Sequence, residues 1–213
     1  MSWSRPRRRA AIGIAAGVAA FAATVTLALT RNAGSGLPTP GPEGLPIPYG
    51  PALAPARVLT NGEQIDSITC QASEQVLFHI HAHLTIFVRG AARQVPAGIG
   101  IAPPYTIDAT PAGVFVAGAT CFMWLHTHAA DGIIHTESPI ERTYTLGDFF
   151  DIWGQPLNRE QVGPARGPVT ALFNGRVYTG NPRGIPLLAH AQIQLEVGKP
   201  FVAPEPIGFH DGL

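Results

Sequence analysis

The clearest pattern in the chain is an alternation of apolar and polar residues in the stretch from Phe78 to Val88. Apolar side chains occupy every second position, and three histidines and a threonine occupy the first four positions between them. A period of two is typical of a β-strand with one face in the core, because successive side chains of a strand point to opposite faces of the sheet. The stretch therefore predicts a strand whose polar face carries His79, His81 and His83.

A second alternating stretch, Cys121–His128, is followed by an Asp-Gly pair, which is a strong signal for a hairpin. The return strand is predicted at Ile133–Glu137. A two-residue turn would pair His128 with His135, whereas a four-residue loop would pair His126 with His135. Both registers place these side chains on one face, where opposed Cβ atoms are about 4.5–5.5 Å apart. A three-residue loop with a bulge would break this arrangement.

The sequence after this hairpin predicts one short helix and several further strands. Residues 145–154 begin with a Thr-x-x-Asp capping pattern and end at a glycine. Strands are predicted at Val169–Phe173, Arg176–Thr179 and Ala191–Val197. Many short strands punctuated by glycine and proline predict a mainly β fold, an antiparallel β-sandwich or barrel-like domain with one short helix. An α+β fold is the alternative.

The N-terminal quarter of the chain has a different character. Residues 10–30 contain no charge and no proline, and a helix of this length, at about 1.5 Å per residue, covers the hydrocarbon core of about 30 Å. Four arginines in residues 1–9 favour a cytoplasmic tail, so residues 10–30 are predicted to be a transmembrane signal anchor. A cleaved signal peptide, leaving a secreted domain, is the alternative. Residues 31–57 are predicted to be a Pro/Gly-rich linker, and residues 58–213 an exported β domain.

Charge and cysteine content narrow the possible partners. The chain has 14 basic and 14 acidic residues, and five of the basic ones precede residue 32, so the exported part has a net charge of about −5. Nucleic-acid binding is disfavoured because no basic patch is present. Cys70 and Cys121 both lie in the exported part and predict a disulfide. A thiolate ligand for copper is the alternative, but strand parity places Cys121 on the face opposite His126 and His128.

Histidines are the main candidates for chemistry. Six of the eight lie in two short clusters, the first with His79, His81 and His83 and the second with His126, His128 and His135. Neutral imidazole is a common ligand of transition metals. A His-x-His pair on a strand suits one ion, but three alternating histidines in a row span about 13 Å, so two of the first three histidines are expected to bind. The alternative is a polar strand face without metal. The predicted metal ligands are His79, His81, His83, His126, His128 and His135.

The ligand type predicts copper or zinc, because sites rich in imidazole and poor in oxygen suit these ions better than calcium or magnesium. Glu137 is expected to be a ligand, a carboxylate that orients an imidazole, or the general base if the protein is an enzyme. Three function classes follow: a metal-binding domain outside the membrane, a metal-dependent enzyme (a hydrolase or cupin-like oxidoreductase), and an adhesion or assembly domain without metal. No Gly-rich phosphate loop, Gly-x-Ser-x-Gly or His-Glu-x-x-His motif occurs. A protein partner is not predicted.

The motifs taken together resemble a family of exported, membrane-anchored bacterial proteins. The resemblance covers most of residues 68–198 and implies export and anchoring but no activity, since none is established for that family. The motifs are His79–Ile86, Val95–Ile101, Trp124–His128, Gly132–Pro139, Tyr144–Gly154, Asn174–Arg176 and Gly180–Leu187.

Overall fold

The computed structural model describes Met1 and residues 40–210 and 212–213. The predicted anchor, residues 10–30, lies outside the described residues. No helix within the described part of the chain is long and apolar enough to cross a membrane.

Short strands dominate the described residues, which also contain one α-helix and one 3₁₀ turn. The helix α1 spans Leu146–Trp153 and the 3₁₀ turn Pro182–Gly184. The strands are β1 Gln64–Ile65, β2 Ile68–Thr69, β3 Phe78–Val88, β4 Ala91–Arg93, β5 Ile101–Ala102, β6 Thr106–Thr110, β7 Gly113–Gly118, β8 Cys121–Phe122, β9 Leu125–His126, β10 Ile133–Ser138, β11 Tyr144–Thr145, β12 Leu157–Asn158, β13 Gln161–Val162, β14 Ala165–Arg166, β15 Val169–Phe173, β16 Arg176–Tyr178, β17 Pro186–Leu187 and β18 Gln192–Val197.

The central sheet has seven strands in the order β16-β15-β18-β3-β10-β9, and β4 also pairs with β3. Within the described residues this sheet is open, with β16 and β9 at its edges, so the mainly β class with one helix is confirmed and a closed barrel is not formed. One pairing of this otherwise antiparallel sheet is parallel, because β18 runs in the same direction as β3. That pairing joins residues over 100 positions apart, and the alternation along each strand does not reveal which direction a neighbour takes.

Strand β3 is the hub of this sheet and matches the predicted strand at both ends. Its first half pairs with β10 and its second half with β18 and β4. Leu84 and Ile86, on its apolar face, are buried in the same core cluster as Phe149 and Trp153 of α1. The polar side chains of β3 alternate with this apolar set and therefore face away from that core.

The helix begins and ends as the sequence predicts. Thr145 is its N-cap and forms a capping box with Asp148. Gly154 ends it in the left-handed conformation at φ 70°, which glycine adopts without the steric cost that a Cβ would bring.

The predicted disulfide between Cys70 and Cys121 is present, with the two Cα atoms 5.3 Å apart. Next to it, Gln71 and Phe122 exchange backbone hydrogen bonds of 2.9 and 2.8 Å. The disulfide and this bridge hold the segment after β2 against β8, close to the second histidine cluster.

The described part of the predicted linker, residues 40–57, packs against the β domain. Leu45 and Leu53 are only 2% and 7% exposed, and Ala52 forms a β-bridge with Gln94. Prolines prevent a continuous strand here, but the apolar side chains between them still gain free energy by leaving water. The composition of this segment indicates its irregular backbone but not its docking.

Candidate metal centre

The candidate centre is built on three neighbouring strands of the central sheet. Strand register places His135 of β10 directly opposite His81 of β3 on one side and His126 of β9 on the other. Glu137 lies opposite His79 in the next row. Directly opposed residues share a face, so three imidazoles form a row across the sheet. The observed hairpin register is the one that a four-residue loop gives.

The loop before β5 holds the backbone on either side of His126 through hydrogen bonds. Gly100 accepts a hydrogen bond from the backbone N–H of Met123 at 2.7 Å, and Ile99 accepts one from that of Thr127 at 3.0 Å. A Cβ on Gly100 would lie 2.2 Å from the carbonyl oxygen of Leu125, so only glycine permits this approach. The chain leaves β9 after His126 and continues as a loop that these hydrogen bonds hold in place. The sequence pattern predicted a regular strand as far as His128.

His126 and His128 have tautomers that the backbone determines. The Nδ1 of His126 lies 2.8 Å from the carbonyl oxygen of Met123, and the Nδ1 of His128 lies 2.6 Å from that of Val116. A carbonyl only accepts, so both Nδ1 atoms carry the hydrogen and both Nε2 atoms of the neutral rings have free lone pairs. These Nε2 atoms are 3.0 Å apart. Two acceptors at that distance repel each other unless they share a cation.

The first cluster converges in the same way. The Nε2 of His79 lies 3.1 Å from the Nε2 of His81, which lies 3.0 Å from the Nδ1 of His135. The other nitrogen of His135, Nε2, is 2.6 Å from Oε1 of Glu43. Donation to Glu43 leaves Nδ1 as the nitrogen of His135 that points into the cluster.

Glu137 connects the two clusters. Its Oε1 is 3.1 Å from Nε2 of His79 and 3.4 Å from Nδ1 of His135, whereas its Oε2 is 3.9 Å from Nε2 of His126. The side chain is buried, and Oε2 has no hydrogen-bond partner in the structure. A buried carboxylate oxygen without a partner is costly by roughly 1–3 kcal/mol or more, and a cation at this position would remove the cost.

Among the residues that the structure describes, two overlapping sets could hold a metal ion, and in each set the ligand atoms lie within 4.8 Å of one another. One set is His79, His81, His135 and Glu137, and the other is His126, His128, His135 and Glu137. The structure therefore brings five of the six predicted histidines together with Glu137.

His83 is the predicted ligand that lies apart. Its Nε2 is 2.9 Å from the carbonyl oxygen of Asp131, and its Nδ1 is 3.3 Å from the hydroxyl of Thr85. With both nitrogens engaged, it belongs to neither set. Of the three histidines on β3, the structure thus places His79 and His81 in a candidate ligand set and His83 outside it.

Electrostatics keep most of the cluster neutral. Burial lowers the pKa of His81 to about 3, helped by the charge of His135. Burial also lowers the pKa of His126 and His128, again with help from neighbouring imidazoles. Neutral rings keep the lone pairs that a metal ion requires.

His135 is the exception. Burial alone would lower the pKa of His135, but its hydrogen bonds to Glu137 and Glu43 outweigh that effect and raise it to about 9. Burial would raise the pKa of Glu137, but His135 beside it lowers it overall. The centre thus contains an imidazolium at His135, which faces the ionised carboxylate of Glu137 and lies beside the neutral rings of His81, His126 and His128.

Two acidic residues at the centre were missed in the sequence. Glu43 comes from the segment predicted as a linker, and Oε1 of Glu74 lies 3.4 Å from Nε2 of His128. Glu74 is carried by the segment that the disulfide holds. Neither residue lies in a motif, because both reach the histidines only through tertiary packing.

No protein-family model matches this chain, and no curated protein or solved structure is significantly similar to it. The functional argument therefore depends on the residues of the centre.

Proposed function

We propose that this protein binds copper or zinc outside the cytoplasmic membrane, to which residues 10–30 anchor it, and that it buffers or delivers the metal there. The observation that carries the proposal is the 3.0 Å approach of two Nε2 lone pairs, those of His126 and His128, beside the unpartnered Oε2 of Glu137. Such an arrangement stores repulsion in the free protein and becomes favourable when a cation is bound.

The choice of metal follows from the ligands. The donors are five imidazoles and one or two carboxylates, a set that suits zinc or divalent copper. Thiolate ligation is ruled out because both cysteines are in the disulfide. Met123 is fully buried in the hydrophobic core and supplies no thioether to the centre.

Two features support a location outside the cytoplasm. A disulfide is typical of proteins in oxidising compartments, and the apolar residues 10–30 follow four arginines. The anchor itself stays a prediction from the sequence, and the secreted form after cleavage stays its alternative.

Calorimetric titration of the purified full-length chain with Zn²⁺ and Cu²⁺ tests the proposal. We expect a dissociation constant of about 1 μM or tighter, equivalent to about −8 kcal/mol, for at least one of the two ions. The double variant His126→Asn/His128→Asn should lose at least tenfold in affinity for the ion that these two residues would hold.

His190→Asn is the matched control, because His190 lies outside both ligand sets and its positive φ of 59° suits asparagine. Absence of binding for both ions, in a chain that circular dichroism shows to be folded, would refute the proposal.

A metal-dependent enzyme is the second candidate. The observation in its favour is that the side chains of His79 and Glu74 are 39% and 35% exposed, so solvent reaches the centre at these two residues. A water molecule on a metal there would be acidified, with Glu137 as the available base. Metal binding alone is preferred because both oxygens of Glu137 face imidazole nitrogens, which suits a ligand. The adhesion alternative lacks support, since His81, His126 and His135 are buried.

A further inference from the structure

The number of converging donors exceeds what one ion can use. Five imidazole nitrogens and the two oxygens of Glu137 point into the same small volume. Structural zinc sites almost always take four ligands, and catalytic zinc takes three from the protein. A single ion would therefore leave several buried donors without a partner.

The donors also fall into two groups on either side of Glu137. Oε1 of Glu137 faces the nitrogens of His79 and His135, and Oε2 is directed towards His126. A carboxylate whose two oxygens face separate sets of imidazoles has the geometry of a bridge between two metal ions.

We propose that the centre binds two transition-metal ions, which share Glu137 as a bridging carboxylate. This inference rests on the proposed metal-binding function and deepens it. The separation expected for ions in two-metal sites is about 3.5–4 Å.

The first ion would be bound by Nε2 of His79, Nε2 of His81, Oε1 of Glu137 and Nδ1 of His135. His135 belongs to this ion because its Nδ1 is 3.0 Å from Nε2 of His81 and its Nε2 is held by Glu43. That set provides four ligands, which closes a tetrahedral site.

The second ion would be bound by Nε2 of His126, Nε2 of His128 and Oε2 of Glu137. Glu74 is the expected fourth ligand, because its Oε1 is 3.4 Å from Nε2 of His128. Glu74 is partly exposed, so solvent reaches the second site through it, as it reaches the first site through His79.

An ion bound by one group leaves the buried donors of the other group without a partner. With an ion at His79 and His81, the lone pairs of His126 and His128 would still face each other at 3.0 Å in a buried position. Two ions satisfy both groups, and the single negative charge of Glu137 lies between them.

Native mass spectrometry of the full-length chain, loaded with Zn²⁺ and freed of excess metal, tests the inference. We expect two ions per chain. One ion per chain would overturn the two-ion centre and leave the proposed function standing. No bound ion would overturn both.

Single-site variants test the assignment of ligands. His79→Asn and His128→Asn should each retain one tightly bound ion and lose at least tenfold in affinity for the other, whereas His190→Asn should still bind two. Retention of two tight ions in either cluster variant would overturn the assignment. Thermal melting of each metal-free variant checks that it is folded.

Electron paramagnetic resonance of the Cu²⁺ form tests the bridge. At one copper per chain we expect an ordinary mononuclear signal, and at two per chain a loss of signal per copper because the spins couple through Glu137. Glu137→Gln should weaken the coupling and restore a mononuclear signal. Two additive, uncoupled signals in the unsubstituted chain would overturn the shared carboxylate.

Discussion

Removal of the disulfide should destabilise the domain and weaken the metal centre together. The disulfide closes a loop with a sequence separation of 51 residues. In the chain-entropy description, a loop of this length loses about 14 cal/mol/K on cross-linking, which is about 4 kcal/mol at 25 °C. We therefore expect Cys70→Ser/Cys121→Ser to lower the free energy of unfolding by roughly 2–5 kcal/mol, the range usual for native disulfides in small exported domains.

Equilibrium unfolding in urea, with the metal-free oxidised chain and the double variant compared under the same conditions, measures this difference. The Zn²⁺ affinity should fall as well, because Glu74 lies four residues after Cys70 and its segment loses its covalent link to β8. The control is Glu74→Gln in the oxidised chain, which should weaken binding without a comparable loss of stability. A double variant within about 1 kcal/mol of the oxidised chain would refute the reasoning.

Two further predictions concern protons and the helix. Zn²⁺ binding at pH 7 should release about one proton per chain, because the raised pKa of His135, about 9, keeps that ring protonated at this pH. The lowered pKa of His81, His126 and His128 leaves those rings neutral, so they release none. The release should fall towards zero as the pH rises through about 9, and it should be smaller in Glu43→Gln. Calorimetry in buffers of different ionisation enthalpy measures the number of protons released. No release at pH 7 would contradict the assignment of Nδ1 of His135 as a ligand. Thr145→Ala should lower the free energy of unfolding by about 1 kcal/mol, because the N-cap and capping-box hydrogen bonds of α1 are lost, with Thr179→Ala as an exposed control; equal stabilities in urea unfolding would contradict the capping role.

Elements with a strong local pattern were predicted well. The alternation from Phe78 to Val88 matches β3 at both ends, and the capping pattern and glycine match α1. The hairpin of β15 and β16 also lies where it was predicted. In each case the signal lies within about ten residues, and the side chains themselves determine which face is buried or how a terminus is capped.

Parity along one strand also predicted part of the centre. His79 and His81 share a face of β3, and His135 and Glu137 share a face of β10, as the period of two requires. The register between strands was left open in the sequence, because a two-residue turn and a four-residue loop are both compatible with the residues around Asp131. In the observed register, in which His126 lies opposite His135, the loop at Gly100 packs against Leu125 and Met123.

The sequence by itself indicated the candidate ligands, the strands β3 and β10 that carry most of them, and the disulfide. Tertiary structure decided which ligands meet. It pairs β18 in parallel with β3, turns His83 to a backbone carbonyl, and brings Glu43 and Glu74 to histidines that are distant in the chain. The physical reason is that local periodicity assigns each side chain to a face, whereas the meeting of residues from different segments depends on how the whole core packs.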